Sequence, residues 1–318
     1  MKKNSVCPKS LGLFFAVIAI LVWGITFVST KYLLGSFSPL EILFVRFLLA
    51  YLGLLLFKPV SLGLQNKKDN VWFLLAGLSG IIIYQFTENA ALSFTTASNV
   101  SIIVSICPMF TAIISQIFLR EKHVTLFFVV GFVTAIFGVT LVSLNGSNGI
   151  HLNPKGDLLA LSSAVCWGFY SLAVSKINKM NLDRILCTRR MFFFAVLSMI
   201  PVFIYGVTKN EPSSVSFVDL NVANNISRFS DVRAWINFCF LGFGASAFCF
   251  VAWNSACDSL GTVKVTVGLY MIPVVTIIFA FFILGEKMSV MGFAGCSITI
   301  AGLFISNIRK LPKSGGKN

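Results

Sequence analysis

Only 11 of the 318 residues are acids and only 2 are histidines, so the side chains able to do chemistry can be weighed one at a time. Glu88 stands in an apolar run, three or four residues before its end. A carboxylate there is costly unless it faces protein or water. It could bind a cationic or amino group, or carry a coupling proton; as an interfacial acid it would instead touch headgroups and water. Arg46 lies about eight residues into another apolar run, roughly 12 Å from the nearer end at 1.5 Å per residue. An unpaired charge at that depth costs about 2.5–3.5 kcal/mol, so it should face protein or water. Glu41 is a candidate partner for Arg46, although five residues is poor spacing on one helix face. Arg190 is about a turn into its run and can snorkel to the surface, and the pair Arg46 and Arg190 reads as architectural more than substrate-binding. Pro108 and Pro273 each remove a backbone hydrogen bond inside an apolar run, either as fixed kinks or as flexing points for gating.

The hydroxyls of Thr26 and Ser105 and the aromatic faces of Trp23, Tyr84, Trp167, Tyr170, Trp253 and Tyr270 would suit a largely apolar pocket with a few orienting groups. Trp72 and Trp235, near run ends, read as membrane-interface anchors. Other chemistries lack their residues. His123 and His151 fall in polar connections, Asp157 and Asp258 lie near run ends, and there is no H-E-x-x-H and no acidic doublet. The eight cysteines are scattered without a C-x-x-C pair. No catalytic residue, metal site, cofactor or disulfide frame is expected, and an intramembrane enzyme is set aside.

These residues sit in a chain that is 57% hydrophobic and 11% charged, against roughly 25% charged in soluble domains. Apolar runs fall at about 11–33, 38–57, 71–92, 98–119, 125–144, 156–176, 185–207, 234–256, 262–284 and 289–308. Each is long enough for a hydrocarbon core of roughly 30 Å. The expected fold is therefore an all-α polytopic membrane protein of about ten transmembrane helices. The connections are short except at about 208–233, a polar extramembrane or surface-lying segment. Met1-Lys2-Lys3 before an apolar stretch resembles a signal peptide, but that stretch recurs later and is counted as a retained span.

The net charge of +14 could serve nucleic acid, anionic lipid or membrane topology, and placement decides. Basic residues sit in short connections and at both ends rather than along one solvated face, which excludes nucleic acid. With the N-terminus inside, the outer side collects only Lys31, Lys155, Lys209, Arg228, Arg233 and Lys287, and Arg46 lies within a span. All other Lys and Arg are inside, so both termini are expected in the cytoplasm and the chain in the inner or plasma membrane.

A repeat organises the spans. Shifted by 144 residues, Trp23-Gly24 falls on Trp167-Gly168 and Arg46 on Arg190. Shifted by 165, Gly77 falls on Gly242, Asn89 on Asn254, Pro108 on Pro273 and Glu121-Lys122 on Glu286-Lys287. Shifted by 164, Gly131 and Gly138 fall on Gly295 and Gly302, small residues that permit close helix packing. The expected units are 11–145 and 156–309. Five helices per unit is an odd number, so the second copy is inverted, with a cavity at the interface of the two inverted five-helix repeats. Departures between copies mark where substrate chemistry could be encoded: Glu88 against Trp253, Thr26 against Tyr170, Tyr84 against Cys249 and Ser105 against Tyr270. The Glu-Lys pairs read as boundary charges.

Val22-Trp23-Gly24, Arg46-Phe47, the run Ala90-Ala91-Leu92-Ser93-Phe94-Thr95-Thr96-Ala97-Ser98-Asn99, Pro108-Met109-Phe110, Tyr270, Pro273 and Gly285-Glu286-Lys287 together resemble the EamA family of the drug/metabolite transporter superfamily, over about residues 11–308. The resemblance implies ten helices, with spans one, three, four, six, eight and nine lining a central cavity. It also implies secondary transport of amino acids or similar metabolites, often export. A channel or receptor is compatible with the composition, but the inverted duplication with paired prolines favours a carrier. Uptake of a scavenged nutrient or nucleoside-like solute, or drug efflux, stands as the alternative. Expected partners are a small-molecule substrate, membrane lipid and a coupling proton; no pattern encodes an oligomeric state.

Overall fold

The computed structural model describes residues 8–64, 66–120, 125–143, 153–208, 226–286 and 289–306. Among them ten long helices and no strand occur. They are α1 (Lys9–Leu33), α2 (Pro39–Phe57), α3 (Lys67–Phe94), α4 (Ala97–Leu119), α5 (Leu126–Ser143), α6 (Pro154–Asn178), α7 (Arg184–Thr208), α8 (Val232–Leu260), α9 (Thr262–Leu284) and α10 (Val290–Ser306). Seven of them are long and apolar enough to cross a membrane, and α5 and α10 contain shorter apolar helices. Glu121, Lys122, His123, His151 and Lys287 lie outside the described residues, as does most of the connection at about 208–233.

Helix starts follow local chemistry. Ser38 and Glu41 form a reciprocal capping box at α2, with Glu41 Oε2 accepting from Ser38 N at 2.8 Å and Pro39 at the first helical position. Asn153 with Pro154 opens α6, and Asp231 opens α8 by accepting from Arg233 N at 2.8 Å. Glu41 also pairs with Arg228, whose Nη2 is 2.6 Å from Glu41 Oε1. The expectation that Glu41 partners Arg46 is therefore corrected. Glu41 is committed to the mouth of α2, while Arg46 is more than a turn deeper.

Interruptions recur at equivalent places in the two halves. A π-helical stretch runs through Gly77–Ile83 in α3 and through Phe240–Phe248 in α8. In α4, Val104 ends one helical piece and Cys107 starts the next, with Pro108 in its first turn. In α9 a 3-10 turn at Val267–Met271 precedes Ile272, with Pro273 in the first turn. Each proline thus occupies a position where no intrahelical N–H bond is lost, rather than kinking a continuous helix. Left-handed C-caps at Arg120 (φ 56°) and Gly285 (φ 67°) close the two second pieces.

The halves interlock. Helix α1 packs on α8 and α9, and α6 packs on α3 and α4; α2 meets α8, α7 meets α3, and α5 meets α10. The α5–α10 seam is backbone against backbone: a Cβ on Gly131 would stand 2.3 Å from the Gly302 carbonyl, and one on Gly138 2.7 Å from that of Gly295. Because α1 begins and α6 ends where 58–64, 179–183 and Gly261 gather, the second five helices run opposite to the first. The many Lys and Arg there make this the basic face; the α3–α4 and α9–α10 corners lie on the far face.

Candidate functional site

A cavity lies at the interface of the two halves. Helix α1 gives it Trp23, Thr26 and Phe27; α2 gives Arg46; α3 gives Tyr84, Gln85 and Glu88; α4 gives Val104 and Ser105. From the second half come Trp167 of α6, Phe250 of α8, and Leu269 and Ile272 of α9. All six helices implied by the resemblance contribute, and α2 adds Arg46. Three repeat-related pairs face it from both halves: Trp23 and Trp167, Gln85 and Phe250, Val104 and Leu269. Its free volume is about 20 Å³, room for about one water and for no metabolite.

The walls are aromatic. Trp23 meets Trp167 edge-on at 5.6 Å between centroids and Phe250 at 5.5 Å, and Tyr84 lies 5.0 Å from Trp167. Trp23 Nε1 donates to the Ala245 carbonyl at 2.9 Å, tying α1 to the π-helical stretch of α8. Buried Trp167 Nε1 has no acceptor among the described residues, an uncommon state for a buried donor. Two charges complete the cavity. Arg46, 1% exposed, donates from Nε to Ser246 Oγ at 2.6 Å and from Nη1 to Gln85 Oε1 at 2.8 Å. Glu88, 4% exposed, has the Tyr84 hydroxyl within reach one turn away. Guanidinium and carboxylate thus face one cavity without a direct ion pair. Among the described residues no three His, Cys, Asp or Glu converge as a metal site would require.

Of the residues singled out in the sequence, Trp23, Thr26, Tyr84, Glu88, Ser105 and Trp167 line the cavity. The Thr26 and Ser105 hydroxyls donate to carbonyls of their own helices, Trp23 O and Ile102 O. Tyr170 and Trp253 stand one layer behind: Tyr170 packs 4.9 Å from Trp167 and donates to Asn254 Oδ1 at 2.8 Å, and Trp253 lies 5.0 Å from Trp23. Tyr270 is elsewhere, buried with Ile106, Met109 and Leu303, because the 3-10 turn carrying it points the ring toward α10. Arg190 is at the basic face, donating to Asn70 Oδ1 at 2.7 Å and to Leu62 O at 3.2 Å. Gln85 and Phe250 escaped notice in the sequence, although they too exchange a polar for an aromatic residue under the 165 shift.

Polar contacts tie helix ends together on both faces. On the far face the Glu286 carboxylate accepts from Ala97 N (2.9 Å), Ser98 N (3.2 Å) and Ser98 Oγ (2.8 Å), capping α4 from the other half. Beside it Lys31 Nζ donates to the Leu92 and Thr95 carbonyls at the end of α3. An acid at a helix start and a cation at a helix end both complement the helix dipoles. On the basic face Ser175 meets Thr262 at 3.0 Å, and Arg184 pairs with Asp258 at 2.7 Å.

The EamA-like transporter family model matches residues 10–144 and 154–308. An uncharacterized transporter of Bacillus subtilis, YyaM, is 26% identical, with 97% of this chain and 98% of that protein aligned. A probable terminal-alkyne amino-acid exporter of Streptantibioticus cattleyicolor is 23% identical over 93% of each chain. A probable amino-acid metabolite efflux pump of Escherichia coli is 22% identical, over 92% of this chain and 93% of that one. A solved crystal structure shares the fold with a TM-score of 0.64 at 18% identity, covering 95% of this chain and 97% of its own.

Proposed function

Because the chain belongs to the EamA-like transporter family, and so is a multi-pass membrane transporter of small solutes and not an enzyme, we propose that it is a carrier whose solutes are amino-acid-like metabolites, exported or exchanged by alternating access. The observation that carries this reading is Arg46 and Glu88 facing one aromatic-walled cavity without pairing to each other. A guanidinium is shaped to take a carboxylate through parallel N–H bonds, and Nη2 of Arg46 makes none to the described residues. A carboxylate complements an ammonium, and indole faces attract it further. A zwitterion bearing both groups fits this charge pattern, with the Trp167 N–H, which has no acceptor among the described residues, as a further donor. Relatives named as amino-acid exporters support the same class.

The cavity straddles units 11–145 and 156–309, taken here as the two moving bodies. Its small volume admits no solute, so in this reading the walls part for one to enter. The π-helical stretches and the broken helices α4 and α9 are where backbone geometry can change with little loss of hydrogen bonding. Opening on the far face requires Glu286 and Lys31 to release the α3–α4 corner. Opening on the basic face requires the α8–α9 corner to leave Ser175. The basic face is assigned to the cytoplasm of a plasma membrane by the positive-inside rule, and Glu88 is assigned any coupled proton.

The test is transport of radiolabelled amino acids into proteoliposomes. Saturable flux stimulated by counter-substrate is expected. Arg46→Lys keeps the charge but loses the fork, and should weaken uptake of carboxylate-bearing solutes about tenfold or more. Glu88→Gln should remove the preference for amines and flatten the pH dependence. If neutral lipophilic drugs compete for flux and amino acids do not, the reading fails in favour of drug efflux.

A further inference from the structure

A second, larger hollow lies outside the central cavity. It is a groove of about 550 Å³ between α1, the end of α8 and α9, open along one side. Its walls are apolar and its outer residues exposed: Leu13 59%, Val17 47%, Leu21 49% and Met271 47%. At its basic-face end stand Lys9 and Lys264, and no acid lines it. Neither lysine makes an ion pair or hydrogen bond to a described residue.

The groove is walled off from the central cavity. Within the 3-10 turn of α9, Gly268 and Met271 face the groove while Leu269 and the following Ile272 face the cavity. Ile20 crosses to Gly268 so closely that a Cβ there would stand 2.7 Å from Ile20 Cδ1. A solute in the groove is therefore not on an open path inward, and its free side meets the surrounding hydrocarbon. From Lys9 to Leu21 the groove follows α1 for roughly 18 Å at 1.5 Å per residue. That is about the depth of one leaflet, half of a core roughly 30 Å thick.

We propose that this groove is a binding site for one acidic phospholipid of the basic-face leaflet, its phosphate held between Lys9 and Lys264 and one acyl chain laid along Leu13, Val17 and Leu21. Two cations with no ion pair among the described residues stand at the headgroup level and select an anionic head, and basic pockets between helices take such heads elsewhere. The apolar trough below selects a chain rather than a free phosphate. The site is independent of which solute the carrier moves.

Native mass spectrometry of the full chain, titrated with phosphatidylglycerol or phosphatidylcholine of identical chains, tests this. The wild type should retain one phosphatidylglycerol about thirty-fold more tightly than phosphatidylcholine, two lysines each contributing near the surface. Lys9→Gln with Lys264→Gln should bring the two lipids level, and Lys9→Arg with Lys264→Arg should keep the preference, showing that the loss is of charge and not of fold. Val17→Trp, which fills the trough, should lower retention of both lipids, and millimolar inorganic phosphate should not displace the lipid. Equal retention of the two lipids by the wild type, an unchanged preference in the glutamine pair, or displacement by phosphate alone would overturn the proposal.

Discussion

Removing Glu286 should loosen one face of the protein and leave the other intact. Its carboxylate takes three hydrogen bonds from the start of α4, two from backbone N–H groups and one from Ser98 Oγ. Loss of a capping acceptor costs about 0.5–2 kcal/mol, and loss of the negative charge at a helix start about 0.3–1 kcal/mol. Glu286→Ala should then favour release of the α3–α4 corner by about 2 kcal/mol, a factor of about thirty. Glu286→Gln keeps an oxygen acceptor and loses the charge, so about 1 kcal/mol, or fivefold, is expected. Hydrogen–deuterium exchange in lipid nanodiscs reads this directly at the amides of Ala97 and Ser98. Their exchange should quicken by those factors, in that order, while the Gly261–Val265 corner on the basic face keeps its protection. The reasoning is refuted if the alanine variant exchanges like the wild type at Ala97 and Ser98, or if both corners loosen together, which would mean general destabilisation.

Arg228→Ala leaves Glu41 buried at 5% side-chain exposure with its partner gone; a loss of about 3 kcal/mol in thermal unfolding is expected, partly recovered by adding Glu41→Gln. Gly131→Ala places a methyl 2.3 Å from the Gly302 carbonyl and Ser306 N, so the melting temperature should fall by the equivalent of about 1–3 kcal/mol. Asp183 lies between α6 and α7; burial pushes its carboxyl up, but the Lys58 hydrogen bond and charge and the amides of Leu186 and Ile185 together hold it below the usual carboxylate range. Its stabilisation is thus present above the unfolded pKa of about 3.9 and lost as pH falls through the lower native value. Asp183→Asn should cost about 0.5 kcal/mol at neutral pH, and melting curves of the two proteins should converge below about pH 3.

The spans were legible because a bilayer demands about 20 apolar residues in a row, and helix ends in the structure lie within a few residues of the runs. The repeat was legible because packing glycines, prolines and Trp-Gly pairs keep their spacing under a fixed shift. Partnerships across the repeat were not. Arg46 matched Arg190 in sequence and so read as shared architecture, yet one bonds Ser246 and Gln85 inside the cavity and the other fastens a surface loop. Glu286 read as a boundary charge because its acceptor role depends on backbone N–H groups 188 residues away. The π-helical stretches leave composition unchanged, so no residue pattern announced them, and the turn that carries Tyr270 away from the cavity was equally silent.

The glycine seam between α5 and α10 bears on how the chain is made. The last of the ten described helices in chain order is the one against which α5 must lie backbone to backbone. At about 5–20 residues per second, the intervening segment takes roughly 7 to 30 seconds to synthesise. Throughout that wait the notched side of α5 has only lipid, or a chaperone of membrane insertion, to rest against, and the first half of the molecule cannot reach its final form until the second half is finished.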